Sequence, residues 1–225
     1  MALQVYAPEN RHVVRWMILA FGILVLAGVG WLSYRWYYYG DKPPFGLTIA
    51  GANQEDTTPV SDAQREDYRT LQNNPKYISM SAINMIRARI FARGIDENNL
   101  LILPTNTHDI AWYEKSKTPG SGGVIVMSGY GTTFNGQDGV LKDMASLQTD
   151  DLITVTRGDD TKTLYRVVEN KTMSIEDVNK GGMDLMGKPV IDGKEGLNIM
   201  ATDGKWIPRI GTFERRVMLR ATIMK

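Results

Sequence analysis

The chain opens with one unbroken apolar run and continues, much later, as a series of short runs broken by turns. The first run is WMILAFGILVLAGVGWLSY, Trp16 to Tyr34, uncharged throughout and about 19 residues long. As a helix it is long enough to span the hydrocarbon core of a bilayer. Trp31, Tyr34, Trp36 and the triplet Tyr37-Tyr38-Tyr39 gather at its C-terminal end, as an interfacial aromatic belt does. A buried soluble helix would not normally carry that collar. The pattern therefore predicts a membrane anchor over residues 16–36, behind a short cytoplasmic tail of residues 1–15. Ala27-Gly28-Val29 mimics a signal-peptidase site behind the basic Arg11 and Arg15, but the apolar run continues past it, which favours an uncleaved anchor. Arg11 and Arg15 on one flank face Arg35 and Lys42 on the other, so charge barely decides orientation. The large domain is placed outside.

Residues 37–74 read as a polar linker. GDKPPFG is a Pro/Gly breaker cluster and GANQEDTTPVSD has little periodicity. Ser61-Asp62 can cap a short helix over AQREDYRTL, and the Asn-Asn-Pro at 73–75 stops it. From there the pattern changes. KYISM, RARIF, LLILP, GVIVMSG, DLITVTR, TLYRVVEN, GLNIMA and RRVMLRATI are short β-prone runs separated by turn chemistry such as KTPGSGG, RGDDTK and IDGKEG. DLITVTRGDDTKTLYRVVE reads as a hairpin around Arg157 to Thr161. No long helical pattern interrupts these runs, so residues 75–225 predict a small all-β barrel or sandwich. The seventh run, GLNIMA, ends abruptly in small residues, Ala201-Thr202-Asp203-Gly204, read here as a turn at a strand end. Twelve Met residues are scattered along the chain and read as core gap-fillers.

Composition narrows the chemistry. The 225 residues carry 26 Lys plus Arg against 25 Asp plus Glu, a net charge of +1, with no dense basic stripe; nothing here points to nucleic acid. There is no Cys, which excludes disulfides, thiolate catalysis and Cys-ligated metals. With only His12 and His108, a His-rich metal site is excluded as well. NGQDG and DGKEG lack the regular oxygen-donor spacing of a calcium loop. GYGTTFNG lacks the Lys and following helix of a phosphate loop. No cofactor and no metal is expected.

The order of the motifs resembles a sortase domain. Residues from PKYISM through GGVIVMSGYG resemble the front half of that fold, where a Gly-His pair ends a strand. VLKDMASLQTDDLITVTRGDDTKTLYRV resembles the segment that follows, and GLNIMATDGKWIPRIGTFERRVMLRA resembles the last two strands, which carry L-x-T-C and then an Arg. The resemblance runs from Pro75 to the C-terminus and is nearest to the single-pass class E and class F types. It implies an eight-stranded β-barrel with short helices, outside the membrane, that cleaves a sorting motif in a secreted protein and passes the acyl group to an amine. Its partners would be a sorting-signal-like peptide or a secreted surface protein, or an active sortase beside it.

Carried over residue by residue, the Gly-His position falls on Gly129-Tyr130. The Thr-Cys of the nucleophile motif falls on Ala201-Thr202. The Arg falls on Arg216, with Arg215 one residue away. Two of the three catalytic residue types are therefore replaced. A Thr hydroxyl must give its proton to a base during attack, and a phenol that titrates near 10 is a poor base at neutral pH. The expectation is a catalytically degenerate sortase that binds rather than cleaves. The alternative is relocated chemistry, with Thr202 as nucleophile and Asp203 or His108 as base, although Asp203 reads more readily as a turn carboxylate and His108 as a loop histidine. Ser128, weaker still as a partner for Tyr130, should face the opposite side from Tyr130's neighbours. Trp112 offers a ligand-stacking wall or barrel packing.

Overall fold

The computed structural model describes residues 11–46, 55–96 and 101–224, in two compact units. The first is built on helix α1, Arg11–Tyr39, longer at both ends than the expected span of 16–36. At 1.5 Å per residue it is about 43 Å long, enough to cross a bilayer and its headgroups. Among the described residues it is the one helix long and apolar enough to do so. Its apolar side chains are open all round, with Trp16 72% and Leu26 73% exposed, which suits a helix solvated by lipid. Tyr34 packs on Tyr38, and Arg35 pairs with Asp41 just beyond the helix end.

The second unit is a closed eight-stranded barrel. Its strands are β1 (Pro75–Met80), β2 (Met85–Arg93), β3 (Ile110–Tyr113), β4 (Val124–Tyr130), β5 (Leu152–Arg157), β6 (Lys162–Ser174), β7 (Gly196–Ile207) and β8 (Thr212–Ile223). Around the barrel they run β1-β2-β3-β4-β7-β8-β6-β5. Closure removes every unpaired sheet edge. The pairs β2–β3 and β4–β7 are parallel; the strands they join are separated in sequence by the crossovers a parallel pair requires.

Period-two alternation sorts the side chains. Ile125 and Met127 of β4, Leu197, Ile199 and Ala201 of β7, and Val217 and Leu219 of β8 all lie in the main core. Their neighbours therefore face outward: Ser128 and Tyr130, then Met200 and Thr202, then Arg216 and Met218. Part of this outer face is covered by the short helices α3 (Ile175–Asp177) and α4 (Met183–Met186), joined by a π-helical turn. Val178, Met186 and Met218 are buried there against Met173, Met183 and Met200. The methionines are thus not simply scattered through the core: five of the eight residues of this outer cluster, which also holds Val126 and Ile175, are Met. Asn198 fastens the cover, donating from Nδ2 to the carbonyls of Leu185, Met186 and Lys188 at 3.2, 2.9 and 2.9 Å.

Three expectations need correcting. LLILP is not a strand: Leu101 forms a single bridge to Ile95, and part of the run lies outside the described residues. The strand there is instead β3, IAWY. The expected turn at Ala201–Gly204 does not occur, because β7 continues to Ile207. The Asp203 carboxylate accepts from Arg215 Nε at 2.8 Å across the β7–β8 hairpin, and Gly204, at φ 77°, lies against the Glu214 side chain. The Asp-Gly pair relieves a local kink in a continuing strand rather than reversing the chain. Finally, of the expected linker, residues 55–74 fall in the barrel unit, and the helix expected after the Ser61-Asp62 cap is present but shorter than AQREDYRTL. Helix α2 (Asp62–Glu66) starts from a capping box in which Ser61 and Gln64 each satisfy the other's backbone N–H. Before it, Asp56 N donates to Thr105 O at 3.1 Å, Thr107 N to Asp56 O at 2.8 Å and Asn106 Nδ2 to Asp56 Oδ2 at 3.0 Å.

Candidate functional site

β4 ends at Tyr130, in register with Thr202 of the continuing β7, and Gly129 pairs with Ala201. The two strands close up beyond that point, where a Cβ on Gly131 would lie 2.4 Å from the Thr202 carbonyl; only glycine fits. Thr202 is 3% exposed. Its Oγ1 accepts from Gly131 N at 3.2 Å and donates to the Thr132 carbonyl at 2.6 Å, while its own carbonyl accepts from Thr132 N at 3.1 Å. The hydroxyl proton therefore points at a backbone acceptor and not at a base.

Tyr130 is also buried, at 7% exposure. The Glu55 carboxylate acts on its phenol through charge and hydrogen bonding, and it accepts from Phe134 N at 2.8 Å. Burial, then the charge and hydrogen bonding of Glu55, hold the phenol far above its ordinary value near 10. Burial likewise raises the Glu55 carboxyl, against the lowering effect of its two donors. Desolvation disfavours the charged form of each group.

Arg216 completes the site from β8. The Asp203–Arg215 ion pair and the Gly204–Glu214 contact share one antiparallel register; extended by one residue, that register sets Arg216 beside Thr202 on the same outward face. Its guanidinium donates from Nη1 to the carbonyls of Phe213 (3.2 Å) and Arg215 (2.9 Å), and from Nη2 to the Thr212 hydroxyl. It sits 5.7 Å from the Phe213 ring centroid. Burial pushes its pKa down to about 10. Phe213 continues into an aromatic row, with Trp206 5.2 Å from it and Phe134 4.5 Å from Trp206.

The other sequence candidates fall into two groups. Ser128 lies on the floor beside Met200, outward like Tyr130, 1% exposed and with its hydroxyl unpartnered among the described residues. Ala201 is wholly buried in the barrel core, and Asp203 is occupied by Arg215. His108 and Trp112 are not brought to Thr202. His108 Nε2 is 3.3 Å from the Thr57 carbonyl, and the ring lines a separate cavity of about 690 Å³ with Arg87, Asp138 and Lys142. Trp112 is 4% exposed in the core, its Nε1 donating to the Lys117 carbonyl at 3.2 Å. The residues that sequence reasoning missed are Glu55, Thr132, Phe134, Trp206 and Phe213. Glu55 acts across 75 positions from within an apparent linker, which no local pattern announces; the aromatics flanking the β7–β8 turn are the one signal that was there to read.

A family model for the sortase domain matches residues 78–219, more than half of the chain. No curated protein matches the sequence. Among solved structures, the chain is similar to a sortase transpeptidase from Clostridium perfringens, with 16% identity, coverage of 74% of this chain and 90% of that one, and a TM-score of 0.48. It is similar to sortase A from Corynebacterium diphtheriae (16% identity, 76% and 72% covered, TM-score 0.49). It is also similar to sortase C from Clostridium perfringens (15% identity, 89% and 87% covered, TM-score 0.47).

Proposed function

The chain belongs to the sortase family, and we propose that it serves there as a peptide-binding member without the transpeptidase reaction. The observation that carries this reading is the Thr202 hydroxyl, held between Gly131 N–H and the Thr132 carbonyl. A nucleophile needs a neighbouring base to take its proton. Here the residue in register, Tyr130, is a phenol whose pKa is raised by burial and by Glu55, and Asp203 is paired with Arg215. The loss of general acid–base help alone removes about 10²–10⁴ in rate. Relocated chemistry through Asp203 or His108 finds no support in where those side chains lie.

Binding capacity remains. Tyr130, Thr202 and Arg216 frame one end of the outer face, and the row of Phe134, Trp206 and Phe213 supplies apolar contact area with few rotamers to freeze. The chain works as a single-pass membrane protein with the barrel on the extracytoplasmic side, holding the sorting-type segment of a secreted surface protein or pilin, as a scaffold beside a catalytically intact sortase.

The test exposes the full chain in detergent micelles to an acetylated peptide library. Retained and released material is then read by mass spectrometry. The reading predicts peptides retained at the site, competed by one another, and no new termini after prolonged incubation. Cleavage products whose formation is lost in Thr202→Val would show that the hydroxyl is a nucleophile after all.

A further inference from the structure

The cation at this site differs from three other arginines of the barrel, each of which has a carboxylate partner. Arg215 has Asp203 at 2.8 Å, Arg220 has Glu169 at 2.9 Å, and Arg89 has Asp109 at 2.8 Å. Arg216, between the first two on the same strand, has no carboxylate within ion-pair distance among the described residues. Its bonds go to two backbone carbonyls and one hydroxyl, all neutral. Glu55, beside Tyr130 of β4, accepts from Phe134 N at 2.8 Å.

We propose that the ligand of this site is a carboxylate-bearing peptide, with the carboxylate paired to Arg216 and the apolar part laid along Phe134, Trp206 and Phe213. The proposal rests on the peptide-binding function above and names the chemistry it selects. A guanidinium withdrawn from water and given only neutral acceptors keeps an unmet demand for negative charge. Arginine carries five donors in a planar fork, and the bonds already made leave part of that fork for a ligand. A carboxylate answers both the charge and the planar geometry, whereas a peptide carbonyl answers neither fully. The same-face neighbour of Arg216 is Thr202, whose hydroxyl is already satisfied, so an anion there meets no competing base.

Two sources supply this chemistry: a free peptide C-terminus and an acidic side chain. One experiment separates them. Acetylated pentapeptide libraries are made in three forms: free C-terminal acid without internal acids, C-terminal amide without acids, and C-terminal amide with one internal Glu. Retention by the full chain in micelles is compared for the wild type, Arg216→Gln and Arg216→Lys, with thermal melts to confirm that each variant is folded. The wild type should prefer one or both acidic pools over the neutral amide by roughly tenfold, the scale of one charge-assisted contact. The leading acidic pool identifies the source. Arg216→Gln should bring the ratio to about one, and Arg216→Lys should leave an intermediate preference that added salt erodes. Equal retention of neutral and acidic pools by the wild type overturns the carboxylate assignment while leaving peptide binding standing, as does a preference that survives in Arg216→Gln. Retention of no pool overturns the peptide-binding function and this inference with it.

Discussion

Replacing Thr202 by Val separates a structural hydroxyl from a reactive one. Val keeps the branched shape and removes two bonds at a site 3% exposed: the one accepted from Gly131 N at 3.2 Å and the one donated to Thr132 O at 2.6 Å. Each buried group left without its partner costs about 1–3 kcal/mol. The longer contact lies near the lower figure, and the short one, to a carbonyl with a second lone pair, is of similar or somewhat larger size. The sum is about 2–4 kcal/mol. For a chain of this size 1 kcal/mol moves Tm by about 2–4 °C, so Thr202→Val should melt roughly 5–15 °C below the wild type. Thr202→Ser keeps the hydroxyl and should stay within about 1 kcal/mol, losing one methyl of packing. The assay is thermal unfolding of the full chain in micelles, followed by the near-ultraviolet signal. If Val and Ser melt together, or Val matches the wild type, the hydroxyl is not clamped and the reasoning from its geometry fails.

Further tests address the strap and the barrel. The Glu55 carboxyl is raised by burial, so its stabilising contribution is full below the ordinary carboxylate value near 4.3 and is lost as pH rises through its folded value. Stability of the full chain in micelles should fall as pH rises above about 4.3, and the fall should weaken in Glu55→Gln; a Glu55 contribution that grows with pH contradicts the assignment. Asp56 on the same segment is lowered by its Thr58 and Asn106 contacts and opposes the trend only at more acid pH. In the barrel, Arg89 and Asp109 form a two-pronged pair, both bonds 2.8 Å, with side chains 15% and 5% exposed. Arg89→Met strands a buried carboxylate and should cost about 3–5 kcal/mol, most of it recovered in Arg89→Met/Asp109→Leu; urea unfolding checks both.

Much of the barrel is visible in the sequence because its strands alternate and are bounded by turn residues. The Arg157–Thr161 hairpin closes where expected, with Arg157 N donating to Thr161 O at 2.9 Å. β3 was missed because only four residues form it and the first three are all buried, which erases the alternation. LLILP has the right composition but no ladder partner beyond one bridge. The turn expected at Ala201–Gly204 follows sound local chemistry that a tertiary contact overrides: Arg215 holds Asp203 in the strand. The site is legible in another way. Tyr130, Thr202 and Arg216 come from the sortase resemblance and not from any local pattern. Glu55 comes from neither, because its partners are 75 and more positions away.

If a peptide-binding face is kept while nucleophile and base are lost, restoring both groups should restore cleavage. The most direct measurement is peptide cleavage by the full chain carrying Tyr130→His and Thr202→Cys together, beside the natural sequence. A library of sorting-type peptides serves as substrate, and products are read by mass spectrometry. The account predicts cleavage by the double variant, at a rate at least about 10² above the natural sequence, and no products from the natural sequence alone. Cleavage by the natural sequence at a rate comparable to the double variant would contradict it.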